Sequence, residues 1–351
     1  DDVESRGLGD VYKRQEYGRV DRVAGWFLLA RMYLNAQTWI NENKYQEAYA
    51  YAVKVIADGH YPLASDYREI FLADNNTCKE IIWPLVQDGL RAQSSAGTNF
   101  YVKAFVNGPM DELYKTGVGS RGWGNVRAKV SLVDAFDADD VMFDGNDTWG
   151  NNKKDKRAQF MTALPNQVKD TWDVNMDMTS TFTCGYGYIK WRNVTKEDEL
   201  CPSGDAYTSI DFPLFRTADA YLMAAEAILR GANGTQSEAL GYVNEVRTRA
   251  YMSGKYAKNG VRSDVSGEIT ANELNLDFLL VERQKELASE LTRRTDLIRF
   301  GKYTKGNNWD WKNGVRLGAD VDDKYNLFPI PESELTNNPT LVQNDGYKVI
   351  K

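Results

Sequence analysis

The chain has 351 residues, enough for one large or two ordinary domains with a full core. Its net charge of -7 disfavours a nucleic-acid partner, because phosphate binding needs a basic surface, and no run of about eighteen apolar residues offers a membrane span. Nine Trp, twenty Tyr and thirteen Phe are many rings for a mean hydropathy of -0.55, so some are expected at the surface, where rings serve binding.

Residues 1–15, "DDVESRGLGDVYKRQ", hold neither the basic nor the apolar region of a signal peptide. They are expected to be non-native or disordered, which leaves 16–351 as one domain. Val20–Ala36 reads as an amphipathic helix with Val23, Phe27, Ala30 and Leu34 on one face. Tyr45–Ala57 reads as a second, with Ala48, Ala52, Val55 and Ile56 inward and Asp58-Gly59 ending it. Trp26, Leu29, Ala30 and Tyr33, followed by Ala48, match the spacing of a tetratricopeptide hairpin. His60, the one histidine, follows the second helix and precedes Pro62, so a turn position is expected; a multi-His zinc site is excluded. Cys78, Cys184 and Cys201 make neither a disulfide framework nor a CxxC metal motif.

Residues of about 87–212 are rich in Gly, Asn, Asp, Thr and Trp, and short strand-like pieces such as "KEIIWPLV" and "GYGYIKW" border or lie in this stretch. Long irregular segments of this kind are usually functional or disordered, and the aromatics argue against disorder. In "DGNDTWG", Asp144, Asn146 and Asp147 resemble the start of a calcium loop, but the Gly and the distant Glu are misplaced. A solvated turn is the better reading. Structural calcium has room there, but no metal site is predicted. The hairpin pattern then returns: Tyr221, Ala224, Ala225 and Ile228, the turn "RGANGT", and Ala239, Tyr242, Val243 and Val246. Leu274–Phe300 reads as one more long helix, on which Glu282, Glu286 and Glu290 share a face. The expected fold is therefore mainly α. Tetratricopeptide-like helical hairpins at about 18–60 and 213–300 form a scaffold around a large loop-rich, partly β insertion, and 301–351 is a C-terminal segment.

Three segments together resemble a known family: "FPLFRTADAYLMAAEAILRG" (212–231), "LLVERQKELASELTRRTDLIRFGKY" (279–303) and "FPIPESELTNNPTLVQNDGY" (328–347). In this order they look like the SusD-like (RagB/SusD) proteins. "DYREIFLADNNTCKEIIWPL" and "SLVDAFDADD" fit the same family. The resemblance implies a surface glycan-binding lipoprotein of the outer membrane, not an enzyme. Such a protein captures oligosaccharide and hands it to a TonB-dependent, SusC-like transporter, and it needs no cofactor. Leu291 stands where the family usually has a small residue, often Gly, and Thr295 stands where it has an aromatic. The family's lipoprotein signal and acylated Cys are not in this sequence. The chain is thus expected to be the C-terminal majority of a longer protein, with its lipid anchor outside it.

The resemblance also gives the charged 279–303 segment a scaffold role. Glu282, Glu286 and Glu290 are expected to pair with Arg293, Arg294 and Arg216, and Asp296 and Arg299 belong to the same network. A buried charge needs such partners, and the interleaved Leu287, Leu291 and Leu297 argue against a solvated face. For ligand contact, a glycan binder needs flat rings for sugar faces and amide or charged groups for hydroxyls. The candidates are Trp123 with its neighbours Arg121 and Asn125 in "SRGWGN", Trp149 in "GNDTWGNN", Trp172 in "KDTWDVN", and Trp309 and Trp311 in "GNNWDWKNG". Trp83 and Trp191 read as core residues, and Trp26 as packing within its hairpin. Two other classes stay in view. A glycoside hydrolase would need two carboxyls about 5–5.5 or 6.5–9.5 Å apart, a pair no pattern here picks out. A tetratricopeptide-type peptide adaptor would need an open groove, against which the long aromatic insertion argues.

Overall fold

The structure, a computed structural model, describes residues 17–91, 93–106, 111, 114–141, 149–150, 152–161, 186–252, 266–309 and 311–348. Residues 1–15, Cys184 and the calcium-like stretch with Asp144, Asn146 and Asp147 lie outside these.

The first helix, α1 (Arg22–Ile40), is opened by Asp21, whose carboxylate accepts the Ala24 N–H at 2.8 Å, and closed by Asn41 in the left-handed region. A four-residue turn leads into α2 (Tyr45–Ala57). Trp26 lies against Lys54, and Tyr33 stacks on Tyr51 at 5.7 Å, so the two helices run antiparallel. Val23, Phe27, Ala30 and Leu34 are buried against Ala48, Ala52 and Val55, as their spacing predicts, while Ile56 is only half-buried. His60 sits exposed in the turn after α2, 2.7 Å from Asp58.

Strand β1 (Ile81–Leu85) follows, then α3 (Thr98–Ala104), α4 (Val130–Val133) and α5 (Ala138–Val141). Short strands β2 (Phe160–Met161) and β3 (Gly187–Tyr188) pair antiparallel. Strand β4 (Phe212–Arg216) pairs antiparallel with β1 and runs straight into α6 (Thr217–Leu229). Helix α6 is the hub of the scaffold. Ala220, Met223, Ala224 and Ala227 face α1 and α2, whereas Ala218, Leu222, Ala225 and Ile228 face α7 (Gln236–Met252) and α8 (Leu276–Leu287). Alanines on both sides let four helices approach one backbone closely. A separate aromatic core, with Tyr67, Phe71, Tyr114, Phe160, Tyr188 and Trp191, supports the middle region. Trp191 is fully covered, as predicted; Trp83 is half-buried, edge-on to Phe215 at 5.2 Å.

The sequence expectation of one helix over Leu274–Phe300 is corrected. Helix α8 ends at Leu287, a turn spans 288–292, and α9 (Arg293–Arg299) starts afresh. Ser289 and Leu291 both carry φ of 62°, which no helix tolerates. That value accounts for the glycine preference noted at position 291. Nor is Leu291 buried: it is 74% exposed, so it does not line an apolar stripe with Leu287 and Leu297. Together with Thr295 it borders a small cavity of ≈ 120 Å³.

The expected ion-pair network exists, with Arg216 in its expected place and the other partners different. Arg216 donates to Glu80 at 2.9 Å, to Glu286 at 2.6 Å and to Glu290 at 2.6 and 2.8 Å. Glu282 is held by Arg157 and Arg247, Glu286 also by Arg157 and Arg249, and Glu290 also by Lys190. All these groups are buried. A second set joins Asp219, Glu226, Arg283, Asp296 and Arg299. Arg293 and Arg294 do not meet the glutamates. Arg293 donates to the Leu280 carbonyl and to Gln284, both at 2.7 Å, and Arg294 to the carbonyls of Tyr325 and Asn326. The turn at 288–292 rotates α9 away from the face that helical spacing would have given these two arginines. Burial pushes the Glu286 carboxyl up, but Arg249, Arg216 and Arg157 outweigh it and hold the group well below the usual carboxylate range. Glu226 is likewise raised by burial and pulled down further by Arg299 and Arg283, to about 2.

Candidate functional site

Among the predicted ligand-contacting residues, Trp123, Arg121 and Asn125 form one surface. Asp111 fixes the approach to it, accepting from Val118 N–H at 3.1 Å and Gly119 N–H at 2.9 Å. Gly119 has φ of 53°, and a Cβ there would stand 2.9 Å from the Asp205 carboxylate, so this turn needs glycine. Backbone bonds from Trp123 N–H to Lys103, Gly124 N–H to Val106 and Asn125 N–H to Ala104, at 2.8–3.0 Å, then clamp the segment onto the end of α3.

That clamp places Trp123 beside Phe100 of α3. Their ring centroids are 6.0 Å apart with planes inclined at 62°. Both stay open to solvent, Trp123 at 39% and Phe100 at 43%. Beneath them, Tyr101 stacks on Trp191 at 5.4 Å and on Phe212 at 5.9 Å, and the last two stack on each other at 10°. The exposed pair is therefore carried on a ring stack rooted in the core. Polar groups flank it: Arg121 Nε bonds Asp205 at 2.9 Å with both side chains accessible, and Asn125 is exposed. Lys103, driven below its usual pKa by burial, bonds the Ala206 carbonyl and lies 5.7 Å from the Tyr207 ring. Chemically this is a rigid apolar platform with hydrogen-bonding groups at its rim. Phe100 is the member that sequence reasoning missed, because "TNFYVKA" at helical spacing reads as core.

The other candidates separate. Trp149 is not a surface ring: it is 4% exposed, its face is covered by Arg192 at 4.3 Å, and its carbonyl accepts from Arg68. The polar letters around it mislead because distant arginines close over the ring. Trp172 lies outside the described residues. Trp309 is half-buried, tilted against Tyr303 at 5.7 Å, and lines a cavity of ≈ 370 Å³ with α4, α8 and α9. Trp311 is 41% exposed with φ of 65° and does not line that cavity. Trp123 is not part of it either.

The described residues contain no cluster of three or more His, Cys, Asp or Glu able to hold a metal, and no helix among them is long and apolar enough to cross a membrane. Glu286 and Glu226 are held below the usual carboxylate range by arginines, opposite to the raised pKa a general acid needs.

The SusD family model matches residues 79–347, most of the chain. The chain belongs to the SusD family. It is 33% identical to the starch-binding protein SusD of Bacteroides thetaiotaomicron, over 97% of this chain and 63% of that protein. It is 25% identical to SusD-like protein P25 of Formosa agariphila, over 97% of this chain and 61% of that one. The SusD-family chain thus spans less than two thirds of the length of these curated relatives. Its fold matches a solved SusD-like protein of Bacteroides fragilis at TM-score 0.65 and 22% identity, covering 96% of this chain and 67% of that one. It also matches surface glycan-binding protein A of Bacteroides thetaiotaomicron, solved with laminarihexaose, at TM-score 0.63 and 21% identity, covering 95% and 65%. These likenesses agree with the mainly helical architecture described above.

Proposed function

We propose that the protein binds oligosaccharide at the cell surface through the Trp123–Phe100 platform, without cleaving it, and passes it to a TonB-dependent transporter of the outer membrane. The observation that carries the binding reading is that pair of exposed rings, fixed from below by Tyr101, Trp191 and Phe212 and rimmed by Arg121, Asp205 and Asn125. Rings already held in place lose little freedom when a sugar stacks on them. Arginine, carboxylate and amide groups within the same surface suit sugar hydroxyls. The names of the relatives, one starch-binding and one solved with laminarihexaose, support a neutral glucan as cargo. The surface location through a lipid anchor and the partnership with a SusC-like transporter rest on the family alone. Non-enzymatic action has further support in the carboxylates of the network: Glu80, Glu226, Glu282, Glu286, Glu290, Asp219 and Asp296 are each locked in ion pairs.

The test is calorimetric titration with maltoheptaose and laminarihexaose, followed by chromatography of the recovered sugar. Saturable binding of one of them is expected, with intact sugar recovered. Trp123→Ala should weaken binding by about tenfold or more, the scale of losing one well-placed aromatic anchor of about 1.4 kcal/mol or above. Shortened sugar after incubation would favour the hydrolase reading. Unchanged affinity in Trp123→Ala would move the site elsewhere.

A further inference from the structure

The ≈ 370 Å³ cavity beside Trp309 is separate from the Trp123 platform and has its own chemistry. Its volume lies within the about 300–1,000 Å³ of ordinary small-molecule sites. Tyr303 and Trp309 supply an aromatic wall, tilted at 35° to one another. Arg127, Lys129, Arg293 and Arg294 also line it, and none of its described lining residues is Asp or Glu. A chain of net charge -7 thus concentrates cations at one concave place.

The bonding of two of these arginines is telling. Arg293 gives its hydrogen bonds to a backbone carbonyl and to the Gln284 amide. Gln284 is in turn fixed by bonding Ser131 O at 3.1 Å, so α4 and α8 brace the guanidinium between them. The carboxylate that acts on Arg293 is Asp296, already bonded to Arg283 and Arg299. Arg294 stacks on Phe328 at 4.1 Å and on Tyr303 at 5.0 Å and bonds only backbone carbonyls. Arg216, Arg249, Arg283 and Arg299 are matched by carboxylates, whereas these two are held in position by neutral oxygens. Guanidinium groups that bond no carboxylate, set beside a ring-lined cavity, favour an anion carrying a flat or ring-shaped body.

We propose that this cavity is a second binding site, for a small acidic saccharide of about one or two rings. The sugar's carboxylate is taken by Arg293 and Arg294, and one ring packs on Trp309 and Tyr303. This site does not depend on the Trp123 platform, so either can fail alone.

The experiment is titration of the full chain with digalacturonate and, as the neutral control, galactobiose, read by calorimetry and tryptophan fluorescence. Digalacturonate should bind saturably and perturb the fluorescence, and galactobiose should bind at least about tenfold more weakly. Arg294→Gln and, separately, Trp309→Ala should each weaken digalacturonate binding by about tenfold, with melting curves confirming that both variants fold, while Trp123→Ala leaves it unchanged. Equal affinity for the neutral disaccharide, loss of binding in Trp123→Ala only, or no saturation by digalacturonate would overturn the proposal.

Discussion

Around Arg216, carboxylates and cations are packed together beneath a closed surface, whereas around Trp123 large rings stand in water on a rigid backing. Each arrangement inverts the ordinary placement of charge and hydrocarbon, and each inversion has a cost. In the first, ion pairs and hydrogen bonds offset it inside the fold: Glu80, Glu282, Glu286 and Glu290 are bonded to arginine or lysine from distant parts of the chain. In the second, no group among the described residues closes over the rings, so a ligand is the natural compensation. Inverted polarity alone does not mark a binding site; what matters is whether the molecule itself already supplies the partner.

Arg216→Ala should produce the largest effect. It removes five hydrogen bonds at one stroke and leaves Glu80, Glu286 and Glu290 with fewer cations. Breaking a buried pair from one side costs about 3–5 kcal/mol, to be read from urea unfolding. Affinity for glycan per folded molecule should stay as in the parent. A loss under about 1 kcal/mol would mean the network is worth no more than exposed pairs.

Acid should separate the two regions next. Glu226 has a folded pKa of about 2, below its value of about 4.5 when unfolded, and Glu286 and Asp219 are displaced in the same direction. A depressed carboxylate contributes stability that is complete above the unfolded pKa and disappears as pH falls through the folded one. Stability should therefore fall from about pH 4.5 downward, for Glu226 on its own by about 2 kcal/mol at pH 3 and about 3 kcal/mol once pH is below about 2. Denaturant midpoints measured at pH 6, 4 and 3 would show it, and Glu226→Gln should flatten the profile. A profile unaffected by that substitution would transfer the effect to the other carboxylates.

The two regions were unequally legible in the sequence. Helix α2 matches its expected bounds, and Ala48, Ala52 and Val55 lie inward as helical spacing puts them, because the buried face of a helix is a local pattern. Burial of Glu282, Glu286 and Glu290 was expected from the family resemblance and from the interleaved Leu287 and Leu297, whereas Leu291, the third leucine of that pattern, is exposed. Of their partners only Arg216 was expected. Arg157, Lys190, Arg247 and Arg249 arrive from other elements, and nothing in neighbouring letters encodes them. The exposure of Trp123 was legible from its glycine-flanked context. Phe100 was not, because an exposed ring on a short helix has the same spacing as a buried one. Trp149 shows the converse: a polar neighbourhood in sequence became a covered one through Arg192 and Arg68.

The smallest expected effect concerns the turn that misled the sequence reading. Leu291 sits at φ of 62° with most of its side chain in solvent, so it combines left-handed strain with little burial. Strain of this kind costs about 1–2 kcal/mol, and the extra freedom of an unfolded glycine takes back roughly 0.5–1. Leu291→Gly should then stabilise by about 0.5–1 kcal/mol. Leu291→Ala keeps the strain but loses the side chain, so it isolates what the leucine contributes through contact at the rim of the ≈ 120 Å³ cavity. Melting temperatures of the three proteins decide between the terms. If glycine exceeds both leucine and alanine, backbone strain governs this turn. If glycine and alanine fall together below the parent, Leu291 is held by its contacts, and its exposed face resembles the Trp123 rings more than it does the network beneath it.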